Sequence, residues 1–154
     1  MLKLRRADLE ILDEPSVFPD LMVYHTKAWI SFLAETQSAE PVVAEVCDGE
    51  TVVGHLVGLI IRRYGLRIFG SPFPGWTTMY MGFNLQPGVP RAAVAKLAPD
   101  FVFRELRCVH MELVDKNLTG QDTEHLGFGH EVVETYETDL TQTEDEIFSS
   151  MKSA

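Results

Sequence analysis

The 154-residue sequence predicts one α+β domain, a mixed, largely antiparallel sheet flanked by helices. Three observations carry that reading. Short β-branched runs at 42–46 and 52–61 flank Asp48-Gly49, a dipeptide that accepts the positive φ of a tight hairpin turn. Two stretches, 21–35 and 90–106, repeat apolar residues at helical rather than alternating spacing. The resulting order is strand, helix, hairpin, two more strands, helix, strand, helix, strand.

Taken in order, Leu2 and Leu4 alternate with charge as a short strand does, before 8–15 breaks the pattern. Over 21–35, Leu21, Tyr24, Ala28, Trp29, Phe32 and Leu33 form one helical stripe, which Pro41 stops. After the hairpin, Arg62-Arg63-Tyr64-Gly65 turns the chain into a third strand at 66–69, ending at Gly70-Ser71-Pro72. Both turns are too short for a crossover, so the strand at 51–61 pairs antiparallel with both neighbours. Pro72, Pro74 and Gly75 make a loop, 77–83 reads as a strand, and 84–90, with Pro87, Gly88 and Pro90, reads as irregular. Pro90 starts a helix carrying Val94, Leu97, Phe101, Val102 and Leu106, which Pro99 kinks or splits. A strand follows at 108–114, with Val109, Met111 and Leu113 on one face and Cys108, His110 and Glu112 on the other. A short helix at 122–126 closes at Gly127, and 132–140 reads as a final strand. Thr141 with Glu144, and Thr143 with Glu146, are overlapping capping boxes that open a last helix carrying Ile147, Phe148 and Met151.

Composition narrows the function. Thirteen Lys and Arg against 23 Asp and Glu give a net charge of -10, which argues against nucleic acid or an anionic membrane as a standing partner. The longest apolar run, 52–61, is interrupted by Gly54 and His55 and is far short of the roughly 20 residues of a membrane span. The N-terminal 14 residues show no signal-peptide pattern, and the two cysteines, Cys47 and Cys108, suit small buried thiols in a cytoplasmic protein.

Sites for chemistry are sparse. His25, His55, His110, His125 and His130 follow no metal-ligand spacing, so no metal is expected. His110-Met111-Glu112 matches the first part of a zinc deaminase signature, but its Pro-Cys-x-x-Cys partner is absent. Ser71 lacks the glycines of a nucleophile elbow, and Cys108 reads as a buried thiol. The loop 84–90 stands where a strand meets a helix, the place for a phosphate cradle. It has one glycine, and two prolines remove N–H donors, so no cofactor is expected in this chain. Two readings stand for Trp76, which sits in a proline-rich loop ahead of Tyr80: it packs on its own domain, or it stacks on a ligand near the end of the 108–113 strand. Arg62, Arg63 and Arg67 form a solvated hairpin tip or a contact for a phosphate or carboxylate.

Three stretches together resemble a known family. They are 25–33 (His25 to Leu33, with Trp29), 41–82 (Pro41 to Asp48-Gly49, Val52-Val53-Gly54, Ser71-Pro72, Gly75-Trp76 to Gly82), and 138–152 (Thr138-Asp139-Leu140 through Met151-Lys152). The series is similar to the N-terminal half of the Fem-like branch of GNAT-fold acyltransferases, over nearly the whole chain. The resemblance implies residues 1–140 as a GNAT-like N-terminal domain and 141–154 as the start of a connecting helix toward an absent second domain. It implies transfer of an acetyl or aminoacyl group to a small-molecule or peptide amine, with acyl-CoA or aminoacyl-tRNA as donor for the full-length family. This half would not bind the donor, and the isolated chain would be inactive. Its partner would be a second GNAT-like domain or another copy. The alternatives on the same fold are a self-sufficient acetyl-CoA-dependent N-acetyltransferase and a non-catalytic interaction module. Trp76, Tyr80, Glu112 and Tyr136 are the candidate substrate-binding surface; the resemblance assigns no catalytic residue.

Overall fold

The computed structural model describes residues 1–13, 18–135, 139 and 141–151. A six-stranded mixed sheet organises them, in the order β1-β2-β3-β4-β6, with β5 also on β3. The strands are β1 (Leu2–Ala7), β2 (Glu40–Asp48), β3 (Thr51–Arg63), β4 (Leu66–Ser71), β5 (Phe83–Leu85) and β6 (His110–Leu113).

Turn chemistry sets the central meander. Gly49 takes φ 59 beyond Asp48, and Tyr64-Gly65 takes φ 51 and 80, so β3 pairs antiparallel with both β2 and β4, as the sequence predicts. Pro41 lies inside β2, where it is tolerated because β1 pairs only with Val43 to Asp48 and leaves that end of β2 one neighbour. A bulge between Val46 and Cys47 shifts the β2–β3 register by one residue, setting Glu45 opposite His55. Only β4 and β6 run parallel, from Ile68 opposite His110 to Ser71 opposite Leu113.

Two expected strands differ. Residues 77–82 are not a strand: Gly82 holds φ 65, incompatible with extended backbone, and pairing with β3 resumes at Phe83. Asn84 and Leu85, read as irregular, belong to β5, with His55 opposite Asn84. The long β3 therefore has β4 along one end and β5 along the other, with 72–82 looping out between them. The strand expected at 132–140 is absent over 132–135, where Val132 and Val133 are exposed. Its residues 136–138 and 140 lie outside the described residues.

Helices cover both faces. The helix α1 (Lys27–Gln37) begins later than the stripe suggests, because Thr26 caps it by accepting the Trp29 N–H, and a 3-10 turn (Val23–His25) precedes it. Its buried residues are Ile30 and Leu33, while Phe32 is exposed. These pack with Val43, Val57, Leu59, Phe73 and Met81 on one side of the sheet. On the other side Val42, Ala44, Leu56, Ile60, Phe69 and Phe83 meet the crossover from β5 to β6. Pro90 precedes α2 (Arg91–Ala95), Pro99 in the first turn of α3 (Ala98–Asp100) separates that helix from α2, and a π turn (Phe101–Glu105) continues α3. Beyond β6 come α4 (Gly120–Thr123), a 3-10 turn (Glu124–Leu126) ending at Gly127, and α5 (Glu144–Met151). Of the two overlapping boxes it is Thr143–Glu146 that caps α5, whereas Thr141 binds Asp139. No described helix is long and apolar enough to cross a membrane.

Candidate functional site

In open α/β sheets ligands sit in the crevice beyond the carboxyl ends of parallel strands, and β4 with β6 is the parallel pair among the described strands. Here that place is the end of β4 and β6, at Ser71 and Leu113, and the chain fills it with itself. The Val114 N–H donates to the Ser71 carbonyl at 2.8 Å, and the Met81 N–H donates to the Val114 carbonyl at 3.0 Å. Ser71 Oγ donates to the Val57 carbonyl and accepts the Gly82 N–H at 3.0 Å. Met81 is 1% exposed. The loop 72–82 thus returns across the gap and consumes the backbone donors that a ligand would use.

Asp115 completes the plug. Its carboxylate accepts the Phe83 N–H at 2.8 Å, the Asn117 N–H at 2.8 Å and the Arg91 guanidinium at 2.6 Å, and its side chain is 1% exposed. Arg91 also donates to the Phe83 carbonyl at 3.1 Å and to Asp20, whose other oxygen accepts from Asn117 Nδ2 at 3.3 Å. Two carboxylates on one guanidinium leave the cluster with a net negative charge, so the cation at the start of α2 is already matched. Against it lies His25, 2% exposed, with Nε2 2.8 Å from the Met81 carbonyl and Nδ1 accepting the Met22 N–H at 3.2 Å. Burial holds its imidazole below the usual histidine range, and both bonds suit the neutral Nε2–H tautomer. His25 is a structural strut.

The loop before α2 is partly spent, and the Gly88, Arg91 and Ala92 N–H groups have no acceptor among the described residues. The Gln86 N–H donates to the Val53 carbonyl at 2.8 Å and the Val89 N–H to the Gln86 carbonyl at 3.2 Å, while Pro87 and Pro90 have none. Beside it a depression of about 400 Å³ is lined by Met1, Leu2, Asp48, Val53, Gly88, Val89 and Pro90, and there the Met1 ammonium pairs with Asp48 at 2.6 Å.

No protein-family model matches the chain, and no curated protein does. A solved structure described as that of a probable acetyltransferase superposes with a TM-score of 0.52 at 15% identity, over 92% of this chain and 99% of that one. The fold is GNAT-like. A Trypanosoma brucei acetyltransferase is more distant, with a TM-score of 0.43 at 18% identity over 90% of this chain and 100% of that one.

On this GNAT-like frame the sequence-derived residues separate. Trp76 is half-buried and packs on Phe73 of its own loop, with ring centroids 4.9 Å apart. Tyr80 joins a different group: it meets Tyr24 edge-on at 5.6 Å, Tyr24 meets Trp29 at 5.4 Å, Trp29 meets Phe32 at 5.5 Å, and Lys116 lies over the Tyr80 ring. Trp29 is fixed by its Nε1–H, which donates to Thr78 at 2.9 Å. Glu112 is half-exposed on β6 and pairs with His110 at 3.1 Å. Cys108 precedes β6 instead of sharing its polar face, and burial pushes its thiol up. Tyr136 lies outside the described residues. Among the described residues no metal-ligating group of His, Cys, Asp and Glu converges.

One constellation escaped sequence reasoning. Arg5, Glu45, His55 and Asn84 stand opposite one another across β1, β2, β3 and β5. Arg5 holds Glu45 at 2.7 Å, Phe18 packs on the His55 ring at 5.5 Å, and His55 Nδ1 is buried without a hydrogen bond to any described residue. Burial lowers the His55 pKa while Glu45 opposes that shift. A plain two-residue hairpin register would place Glu45 opposite Gly54; the bulge, invisible in the sequence, moves it to His55.

Proposed function

We propose that this chain is the non-donor-binding, GNAT-like half of a Fem-type N-acyltransferase, contributing acceptor binding or scaffold to acetyl or aminoacyl transfer onto an amine. One observation carries the reading: the crevice beyond β4 and β6 is plugged by Met81 and the Asp115–Arg91 pair. Acyl-CoA does not fit the residues at this place. Its diphosphate needs several free N–H groups or an unmatched cation, and here the Met81, Gly82, Phe83 and Val114 N–H groups are engaged and Arg91 already serves two carboxylates. The donor, acyl-CoA or aminoacyl-tRNA, is then held by a second domain.

The acceptor surface in this reading is the ring series Tyr80, Tyr24, Trp29 and Phe32, flanked by exposed Val23 and Met79, with Trp76 on the same loop as Tyr80. Rigid rings supply apolar area at small entropic cost and suit the apolar part of a small-molecule or peptide amine. A self-sufficient acetyltransferase is the second reading, favoured by the 99% coverage of the solved probable acetyltransferase. The test is acetyl transfer by the purified chain, followed as free thiol released from acetyl-CoA across a panel of primary amines. The proposal expects the uncatalysed rate; turnover above it that disappears when Tyr80 is replaced by Ala moves the assignment to the second reading.

A further inference from the structure

The charge of this chain is unevenly divided. Residues 117–151 contain nine of the 23 acidic side chains and none of the 13 Lys and Arg. At the far end of the β3–β4 hairpin the opposite holds. Arg62 and Arg63 flank the tip, and Arg107 stands beside it, two residues before Val109, whose N–H donates to the Arg67 carbonyl at 2.9 Å. All three arginines are exposed, and none of their side chains has an ion pair or hydrogen bond among the described residues.

The same end carries apolar surface that no described residue covers. Tyr64 is 101% exposed, Leu66 51% and Val109 59%. Tyr64 and Arg107 both hold positive φ, 51 and 54, a conformation that costs any residue with a Cβ. A tyrosine in the first position of such a turn, where Asn or Gly is at ease, gains no packing against the described residues. Local rules broken without an internal gain mark surfaces kept for an external one.

We propose that this cationic, apolar hairpin tip docks the acidic helix α5 of a second copy of the chain. The helix fits in both respects: Glu144, Asp145 and Glu146 fill its first turn, and Phe148, 62% exposed, stands one turn further on. The guanidinium groups match the carboxylates while Tyr64 and Leu66 meet Phe148, an apolar contact with a charged rim. Tip and helix are different surfaces, so each copy both gives and receives.

Sedimentation velocity on the full chain tests this at about 20 and about 500 mM salt, where screening lengths differ several-fold. Wild type is expected to self-associate at low salt and to dissociate as salt rises. Arg62→Glu with Arg63→Glu, and separately Glu144→Lys with Asp145→Lys, should each weaken association by about tenfold or more. An equimolar mixture of the two variants should associate again, because the reversed charges match in trans; this outcome a merely structural effect would not produce. A monomer under all conditions, or association that both variants retain, overturns the proposal. So does binding of a single-stranded RNA oligonucleotide to the tip without self-association, which would assign the surface to nucleic acid.

Discussion

Replacing Gly82 by Ala probes the plug at its tightest point. An added Cβ would lie 2.3 Å from Asp115 Oδ2, 2.6 Å from its Cβ and 2.8 Å from its Cγ, and φ 65 is itself unfavourable for alanine. The backbone penalty is about 1–2 kcal/mol. Clearing the clash moves a buried carboxylate that holds Arg91 and the Phe83 N–H, and breaking a buried pair costs roughly 3–5 kcal/mol. The sum, about 4–7 kcal/mol, is a large share of the roughly 5–15 kcal/mol that holds a domain folded. Gly75 is the control, with φ 79 and nothing within 4 Å of the added Cβ, so Gly75→Ala incurs only the backbone term. Urea denaturation followed by tryptophan fluorescence compares them. At an m-value of roughly 2 kcal/mol/M, Gly82→Ala should lower the midpoint by about 2 M or more and Gly75→Ala by less than about 1 M. Equal shifts in the two variants would refute the claim that Asp115 is locked against Gly82.

Three further outcomes are expected. Ser71→Ala leaves the buried Gly82 N–H without its acceptor and should cost about 1–3 kcal/mol in the same denaturation assay. Gly54→Ala drives a Cβ to 2.6 Å from the Asn84 carbonyl and should cost about 1–3 kcal/mol, with faster hydrogen exchange in Phe83 to Leu85 than in β1. The pKa values of His25 and His55 are lowered by burial, so below 6.5 the unfolded chain takes up protons that the fold refuses. Their stability contribution is complete above pH 6.5 and falls as pH drops toward the depressed folded values. The loss from pH 7.5 to 5.5 should be smaller in His25→Gln, whose amide can replace the bond to Met81 but does not titrate.

The meander was legible because its signals are local. Asp48-Gly49 and Tyr64-Gly65 dictate turns by themselves, Pro90 and Pro99 punctuate the crossover, and Thr143 with Glu146 announces α5. The site was less legible because its signals are not local. Arg91 reaches Asp20 across 71 residues and Asp115 across 24, and no periodicity connects them. Gly82 looks in sequence like a glycine inside an alternating run; its positive φ follows from the return of 72–82 onto Asp115. The shortage of donors in the 86–90 loop was half visible, since two prolines can be read directly, whereas the bond from Gln86 to Val53 depends on where β5 meets β3.

In the proposed reading the crevice beyond β4 and β6 does not receive an acyl donor. Calorimetric titration of acetyl-CoA into the purified chain tests it most directly. No saturable heat is expected at micromolar protein, and the same result for Asp115→Asn. Saturable binding near 1 µM by the wild-type chain, about -8 kcal/mol, would contradict it and establish a donor site in this domain.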